Sequence, residues 1–234
     1  MNKLPPVPSD ELARLEALRR YRILDTDSEK SFDDITRLAS FICGTPMSLI
    51  SLVDSDRQWF KSKVGLEATE TPREYAFCAH TILESKVMVV EDALEDPRFS
   101  TNPLVMGDPN IRFYAGAPLA GMDGHRLGSL CVIDRQPRKL GVEQLDALET
   151  LSNLVVTTME LRCVSSDLAE AVASVKSLRR LLPICSWCKG IRNENGYWQE
   201  VEEYIREHTD TKFSYGICAE CARKHFEEAA VSDA

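Results

Sequence analysis

Residues 141–182 contain no proline, and their only glycine is Gly141. Proline and glycine are the residues that interrupt helices, so the segment predicts one continuous helix. Leu161, Val164, Leu168, Ala171, Val175, Leu178 and Leu182 recur in steps of three and four. That is the a/d pattern of a coiled coil. Leu145, Leu148, Leu151, Leu154 and Val155 fit it less cleanly, as expected where a helix leaves a globular domain. At ~1.5 Å per residue the helix would be about 60 Å long, and Pro183 stops it. The expectation is a coiled-coil helix over 141–182 that forms a parallel homodimer, with one folded module before it and another after it.

The residues upstream change period. Residues 1–10 are rich in proline and read as loose. Leu12, Leu15, Leu18, Tyr21 and Leu24 repeat at helical spacing. Phe32, Ile35, Leu38 and Ile42 do the same, with Ser28 as N-cap candidate and Gly44 as stop. MSLISLVD (47–54) is then an apolar run of strand length, and RQWFKSKVG (57–65) alternates, so the two predict a hairpin across Asp54–Asp56. TETPREYAF reads as a loop, FCAHTILES (77–85) as the start of a short helix and KVMVVEDA (86–93) as a strand. DPRFSTNPLVMGDPN (96–110) is rich in turn residues. IRFYAGAPLAG and RLGSLCVID pair as strands around Met122–His125. The sum is an α+β domain, an antiparallel sheet of five or six strands flanked by helices.

Downstream lie two CxxC pairs, Cys185/Cys188 and Cys218/Cys221, in ICSWCKG and GICAECA. Two short-bite thiolate pairs supply the four soft ligands of a tetrahedral Zn²⁺ site. A segment of this size buries little core, and metal binding adds folding free energy. The second pair opens a helix, whose dipole favours thiolates. Trp198, Val201, Tyr204 and Ile205 read as one helical face between the pairs. The expected order is knuckle, turn, helix, strand and ligand-bearing helix, a small treble-clef-like zinc module at 183–228. A closed Cys₄ shell leaves no open coordination position, so that zinc would be structural. His208 and His225 are spare ligands that a complete shell does not need. A dithiol redox pair, or four packed cysteines, is the competing reading.

The net charge of −9 at pH 7 argues against a nucleic-acid partner, because the Arg19–Arg20 and Arg179–Arg180 clusters are too small to offset it. No apolar run approaches the ~20 residues that span a bilayer, and the N-terminus lacks a signal-peptide core. The expected location is the cytoplasm. There eight cysteines read as ligands or sensors rather than as a disulfide framework.

FDDITRLASFICGTPMSLISLVDSDRQWFKSKVG, EYAFCAHTIL, VEDALEDPRFSTNPLV, FYAGAPL and LGSLCVID, in this order, resemble GAF domains. They are most like those of bacterial two-component and cyclic-di-GMP signalling proteins. The tail LLPICSWCKGIRNENGYWQEVEEYIREHT…GICAEC is similar to a cysteine-paired segment found behind GAF, PAS and receiver modules. The resemblance implies a sensor domain at 10–140 with a six-stranded sheet and a small-molecule pocket on one face. The site candidates follow from it and from aromatic placement: Trp59, Phe60, Phe113 and Tyr114 on strands, and Phe77, Cys78 and His80 at the short helix.

Cys78 beside an imidazole could be a reactive thiol. Against a bilin site, Ala79 separates Cys78 from His80, where bilin-binding GAF domains place the two together. Against a methionine sulfoxide reductase, which needs paired pocket cysteines, the stretch immediately after DPRF, STNPLVMGDPN, holds no second cysteine. The cyclic-nucleotide signature of the family is absent, as are a kinase phosphate loop, a phospho-accepting histidine box and a diguanylate cyclase signature. The chain is therefore expected not to be an enzyme. It reads as a sensor that binds a small ligand or responds to redox state and relays this through the helix to a partner protein. The alternatives are a thiol switch or reductase using Cys78 or the CxxC pairs, and a structural adaptor with a filled GAF core.

Overall fold

The computed structural model describes Pro5 and residues 7–178, 182–193 and 195–226, with side chains for the same residues except 175–178, 225 and 226. Arg179 and Arg180, the side chains of the heptad positions Val175 and Leu178, and that of His225 lie outside the described residues. The chain divides into two compact units, 1–169 and 170–234.

In the first unit, helices α1 (Glu11–Arg20) and α2 (Lys30–Cys43) precede strands β1 (Met47–Val53) and β2 (Arg57–Val64). Strand β3 (Glu70–Pro72), a 3₁₀ turn (Arg73–Tyr75), α3 (Cys78–Thr81), β4 (Met88–Val90) and α4 (Pro103–Met106) follow. Strands β5 (Phe113–Ala120) and β6 (Arg126–Asp134) complete the sheet, and α5 (Val142–Leu178) follows them. The six strands pair antiparallel in the order β3-β2-β1-β6-β5-β4. The central pair β1–β6 joins elements far apart in sequence.

Two apolar layers enclose the sheet because β-strand side chains alternate between faces. On one face Ile50, Leu52, Phe113 and Leu130 pack against Phe32 and Ile35 of α2 and Leu148 and Val155 of α5. On the other face Met47, Leu49, Phe60, Tyr114 and Cys131 meet Phe77 and Cys78 of α3. The β1–β2 register shifts between Ile50 and Ser51, which pair with Ser62 and Phe60. The bulge falls at Lys61, whose buried ammonium reaches Thr26 Oγ1 at 2.8 Å, Asp27 O at 2.6 Å and Glu29 Oε1 at 2.7 Å. Bulges re-aim side chains in this way.

Most elements lie where periodicity placed them, with three local differences. Helix α2 starts after Glu29, which is extended and makes no side-chain cap, so Ser28 does not cap it, whereas Gly44 ends it in the left-handed conformation at φ 64°. The predicted loop TETPREYAF contains β3, an edge strand paired through Trp59↔Glu70. Within the turn-rich segment, Asn102 caps α4 by accepting from the Leu104 amide.

In the second unit β7 (Ile191–Arg192) pairs antiparallel with β8 (Trp198–Gln199), followed by α6 (Val201–His208) and α7 (Ala219–Phe226). Trp198 lies on β8 opposite Arg192, not on the helical face with Val201, Tyr204 and Ile205. Residues 211–218 carry no strand, so the predicted strand between the two helices is absent and the treble-clef order does not hold there. The second cysteine pair does lie at the start of a helix, α7.

Among the described residues no helix is long and apolar enough to cross a membrane.

Candidate functional site

The sheet face turned away from α1, α2 and α5 holds a cavity of about 290 Å³. That is near the lower end of the ~300–1,000 Å³ typical of ligand sites. Met47 and Leu49 of β1, Phe60 of β2, Phe77 at the start of α3, Leu104 of α4 and Tyr114 of β5 wall it. Phe77 stacks on Phe99 with ring centroids 3.9 Å apart, which fixes the wall on the α3 side.

Tyr114 is fully buried. It fits because residue 116, two places along the same strand face, is glycine: a Cβ there would lie 2.2 Å from the Tyr114 hydroxyl. That hydroxyl is 2.7 Å from Thr81 Oγ1 and 3.3 Å from Ser129 Oγ, and it donates to Cys78 Sγ at 3.4 Å. Behind Cys78 lies Cys131, with the sulfurs 3.9 Å apart. Burial pushes the Cys78 thiol up, but hydrogen bonds from Cys131, Ser129 and Tyr114 oppose this and leave Cys78 the more easily ionised of the two. Cys131 is driven well above the ordinary thiol range by its bond to Cys78 and by burial.

Gln58 adds a polar contact. It is 5% exposed and lines the cavity, and its side-chain carbonyl oxygen is buried without a hydrogen-bond partner. Its amide nitrogen donates to Thr71 Oγ1 at 3.4 Å. An unpaired buried carbonyl costs free energy, so it offers an acceptor to a ligand with an N–H or O–H donor. Arg135 also lines the cavity, and its Nε donates to Pro109 O at 3.0 Å.

The candidate residues divide by strand parity. Phe60, Phe77, Cys78 and Tyr114 come together on the cavity wall. Trp59 and Phe113, the neighbours of Phe60 and Tyr114, point to the opposite face and pack under the helices. His80 is absent from the wall and meets Phe99 edge-on, with centroids 4.9 Å apart. Burial and the Arg98 guanidinium hold its pKa down against the pull of Asp96. Gln58, Met47, Leu49, Leu104 and Arg135 carry no distinguishing mark in the sequence. Once Phe60 is assigned to a face, strand alternation selects Gln58, but nothing local marks Leu104 or Arg135.

In the second unit Cys185 is half-buried and Cys188, Cys218 and Cys221 are exposed, all as free thiols. The backbone amides of Cys188 and Trp187 and the Cys188 thiol lower the Cys185 pKa. Cys218 is lowered likewise by the backbone and side chain of Cys221 and the amide of Glu220, and the Cys221 amide donates to Cys218 Sγ at 3.4 Å. In each pair the first cysteine thus has donors from the second turned toward its sulfur. Among the described residues, however, no group of three or more His, Cys, Asp or Glu side chains is gathered for a metal ion.

The family model for the GAF domain matches residues 27–159. A cyclic di-GMP phosphodiesterase of Pseudomonas aeruginosa is 46% identical over 153 residues, 65% of this chain and 26% of that protein. The chain therefore spans about a quarter of that relative's length. Among solved structures, the GAF domain of an Acinetobacter phosphoenolpyruvate-protein phosphotransferase aligns with a TM-score of 0.48 and 18% identity, over 66% of this chain and 98% of that one. The blue-light absorbing form of the Thermosynechococcus elongatus PixJ GAF domain aligns with a TM-score of 0.48 and 14% identity, over 74% and 98%. The expectation that the chain is no enzyme does not stand. The Pseudomonas relative, 46% identical over 153 residues, is named for an enzymatic activity.

Proposed function

The chain belongs to the GAF domain family, and we propose that it is a sensor whose cavity takes a small molecule and whose state governs cyclic di-GMP phosphodiesterase chemistry of the kind named for the Pseudomonas relative. The observation that carries this reading is the cavity itself. It combines an apolar wall with one buried, unpartnered Gln58 carbonyl, the combination by which binding sites orient a ligand. Strand β2 supplies both Gln58 and Phe60 to the cavity and sends Lys61 to the opposite face. There Glu29 accepts from Lys61 Nζ at 2.7 Å and from Arg162 Nε of α5 at 2.8 Å. A ligand that moves β2 thus has a mechanical path to α5, and the response is a population shift between arrangements of that helix.

Two parts of this reading concern assembly. Leu154, Leu161, Val164 and Leu168 are exposed along α5. A second copy covering them would form the parallel homodimer through which the helix signals. Cys185, Cys188, Cys218 and Cys221 would hold Zn²⁺. The donor set suits zinc in type, being four thiols in two pairs with backbone amides turned toward sulfur, and the two pairs would have to close on one ion, since among the described residues no three such ligands are gathered. The metal, when bound, supplies folding free energy. The location we assign is the cytoplasm and the output a protein partner.

Native mass spectrometry of freshly purified protein tests the sensor reading. A reproducible non-covalent adduct is expected in the wild type and should be lost in Leu49→Trp, which fills the cavity. A wild type that carries no adduct, and whose melting temperature no member of a metabolite panel shifts, would show an adaptor with a filled core instead.

A further inference from the structure

We propose that Cys78 and Cys131 form a peroxide-oxidised thiol pair that closes a disulfide on the cavity wall. Cys78 lies on α3 and Cys131 on β6, residues 53 apart in sequence, with their sulfurs 3.9 Å apart. A disulfide requires ~2.05 Å, so the two sulfurs, already in contact on adjoining elements, close the remaining distance by side-chain rotation in this proposal. Both side chains are buried, yet Cys78 lines the cavity. A small hydroperoxide entering that cavity reaches the sulfur without unfolding the domain. Cys43 packs in the opposite apolar layer, so it does not compete for the sulfenic acid.

The groups around the sulfur suit the chemistry. Tyr114 donates to Cys78 Sγ at 3.4 Å, and Thr81 and Ser129 lie 2.7 and 3.3 Å from the tyrosine hydroxyl. Hydrogen bonds to sulfur favour the thiolate, the nucleophilic form. In the first step the Cys78 thiolate attacks the terminal oxygen of the hydroperoxide. The O–O bond breaks, an S–O bond forms, and the departing alkoxide or hydroxide takes a proton through the hydroxyl cluster. In the second step Cys131, giving up its proton, attacks the sulfenic sulfur. The S–O bond breaks, the S–S bond forms and water leaves. Overall two thiols and one hydroperoxide yield one disulfide, one alcohol (or water) and one water. The bond would tie α3 to the centre of the sheet and draw Cys78 away from the cavity. It requires no resident ligand, so it stands apart from the sensor reading above.

The full chain, reduced and folded, is exposed to a few equivalents of hydrogen peroxide, quenched in acid, alkylated after unfolding and mapped by mass spectrometry. The expected main product joins the Cys78 and Cys131 peptides with loss of two hydrogens. Dithiothreitol should reverse it, and Cys78→Ser and Cys131→Val should each abolish it. Cys131→Val should also accumulate a dimedone adduct at Cys78. Full alkylation of Cys78 and Cys131 after prolonged exposure to excess hydrogen peroxide would overturn the proposal. That readout needs only the wild type, so the proposal can be refuted even where a variant fails to fold.

Discussion

Glu11 sits between two guanidinium groups. Arg14, 1% exposed, donates to both of its oxygens at 2.8 and 2.6 Å, and Arg73 donates at 2.6 Å. Arg14 also reaches Val53 O at 2.7 Å and Arg73 reaches Asp54 O at 2.9 Å, so one carboxylate pins α1 to the end of β1. Removing it leaves two buried cations without their counter-charge. Glu11→Ala should therefore cost about 3 kcal/mol in denaturant unfolding, the lower end for a broken buried pair. Burial alone would raise the Glu11 pKa, but the bonds from Arg14 and Arg73 bring it from 4.5 to about 2. This contribution is complete above pH 4.5 and disappears as pH falls through 2. Acid titration of stability should show that loss in the wild type and lack it in Glu11→Ala. None of this is legible in the sequence, where Glu11 and Arg73 are 62 residues apart. The aromatic candidates show the opposite case. Their chemistry is evident from residue type, but Trp59 and Phe60 are adjacent, and only the sheet decides which one faces the cavity.

Helix α5 has two kinds of leucine. Leu148 is fully buried against the sheet and α2, whereas Leu161 is 66% exposed. Leu148→Ala should destabilise the domain by about 2–5 kcal/mol, the cost of a buried leucine truncation. Leu161→Asp should leave domain stability nearly unchanged while converting the proposed dimer to a monomer in light scattering at micromolar concentration. If the wild type is itself monomeric there, the heptads serve another purpose. The helix was legible because lack of breakers and apolar spacing are local properties. The β3 edge strand was not. ETP has poor strand character, and it pairs only because β2 presents an open edge beside it. The same applies to the Lys61 bulge, which arises where a buried lysine must reach Glu29 and Asp27.

At the scale of the molecule, the two units rest on different physics. The first has two apolar layers on a six-stranded sheet. In the second Ile191 is buried, but Trp187, Tyr197 and Tyr215 are exposed at 95%, 74% and 79%. With so little buried, the proposed zinc would be a main source of its folding free energy. Elemental analysis should find one Zn²⁺ per chain. Chelation should release thiols at Cys185, Cys188, Cys218 and Cys221 and remove far-ultraviolet helix signal, without lowering the melting temperature of the first unit. A metal-free chain with four freely alkylated cysteines and intact helix signal would exclude the zinc.

What the sequence determined by itself was whatever depends on neighbours along the chain: the helices, the two hairpins, the long breaker-free segment, the spacing of the two CxxC pairs and the family to which the motif order points. Tertiary structure decided what depends on distance through space. It turned Phe60 and Tyr114 toward the cavity and Trp59 and Phe113 away, left Gln58 with an unpaired carbonyl, and brought Cys78 against Cys131. The reason is that local spacing gives the side-chain period of a strand but not its absolute face. That face is set only when β1 and β6, far apart in sequence, pair at the centre of the sheet and bury one layer under α2 and α5.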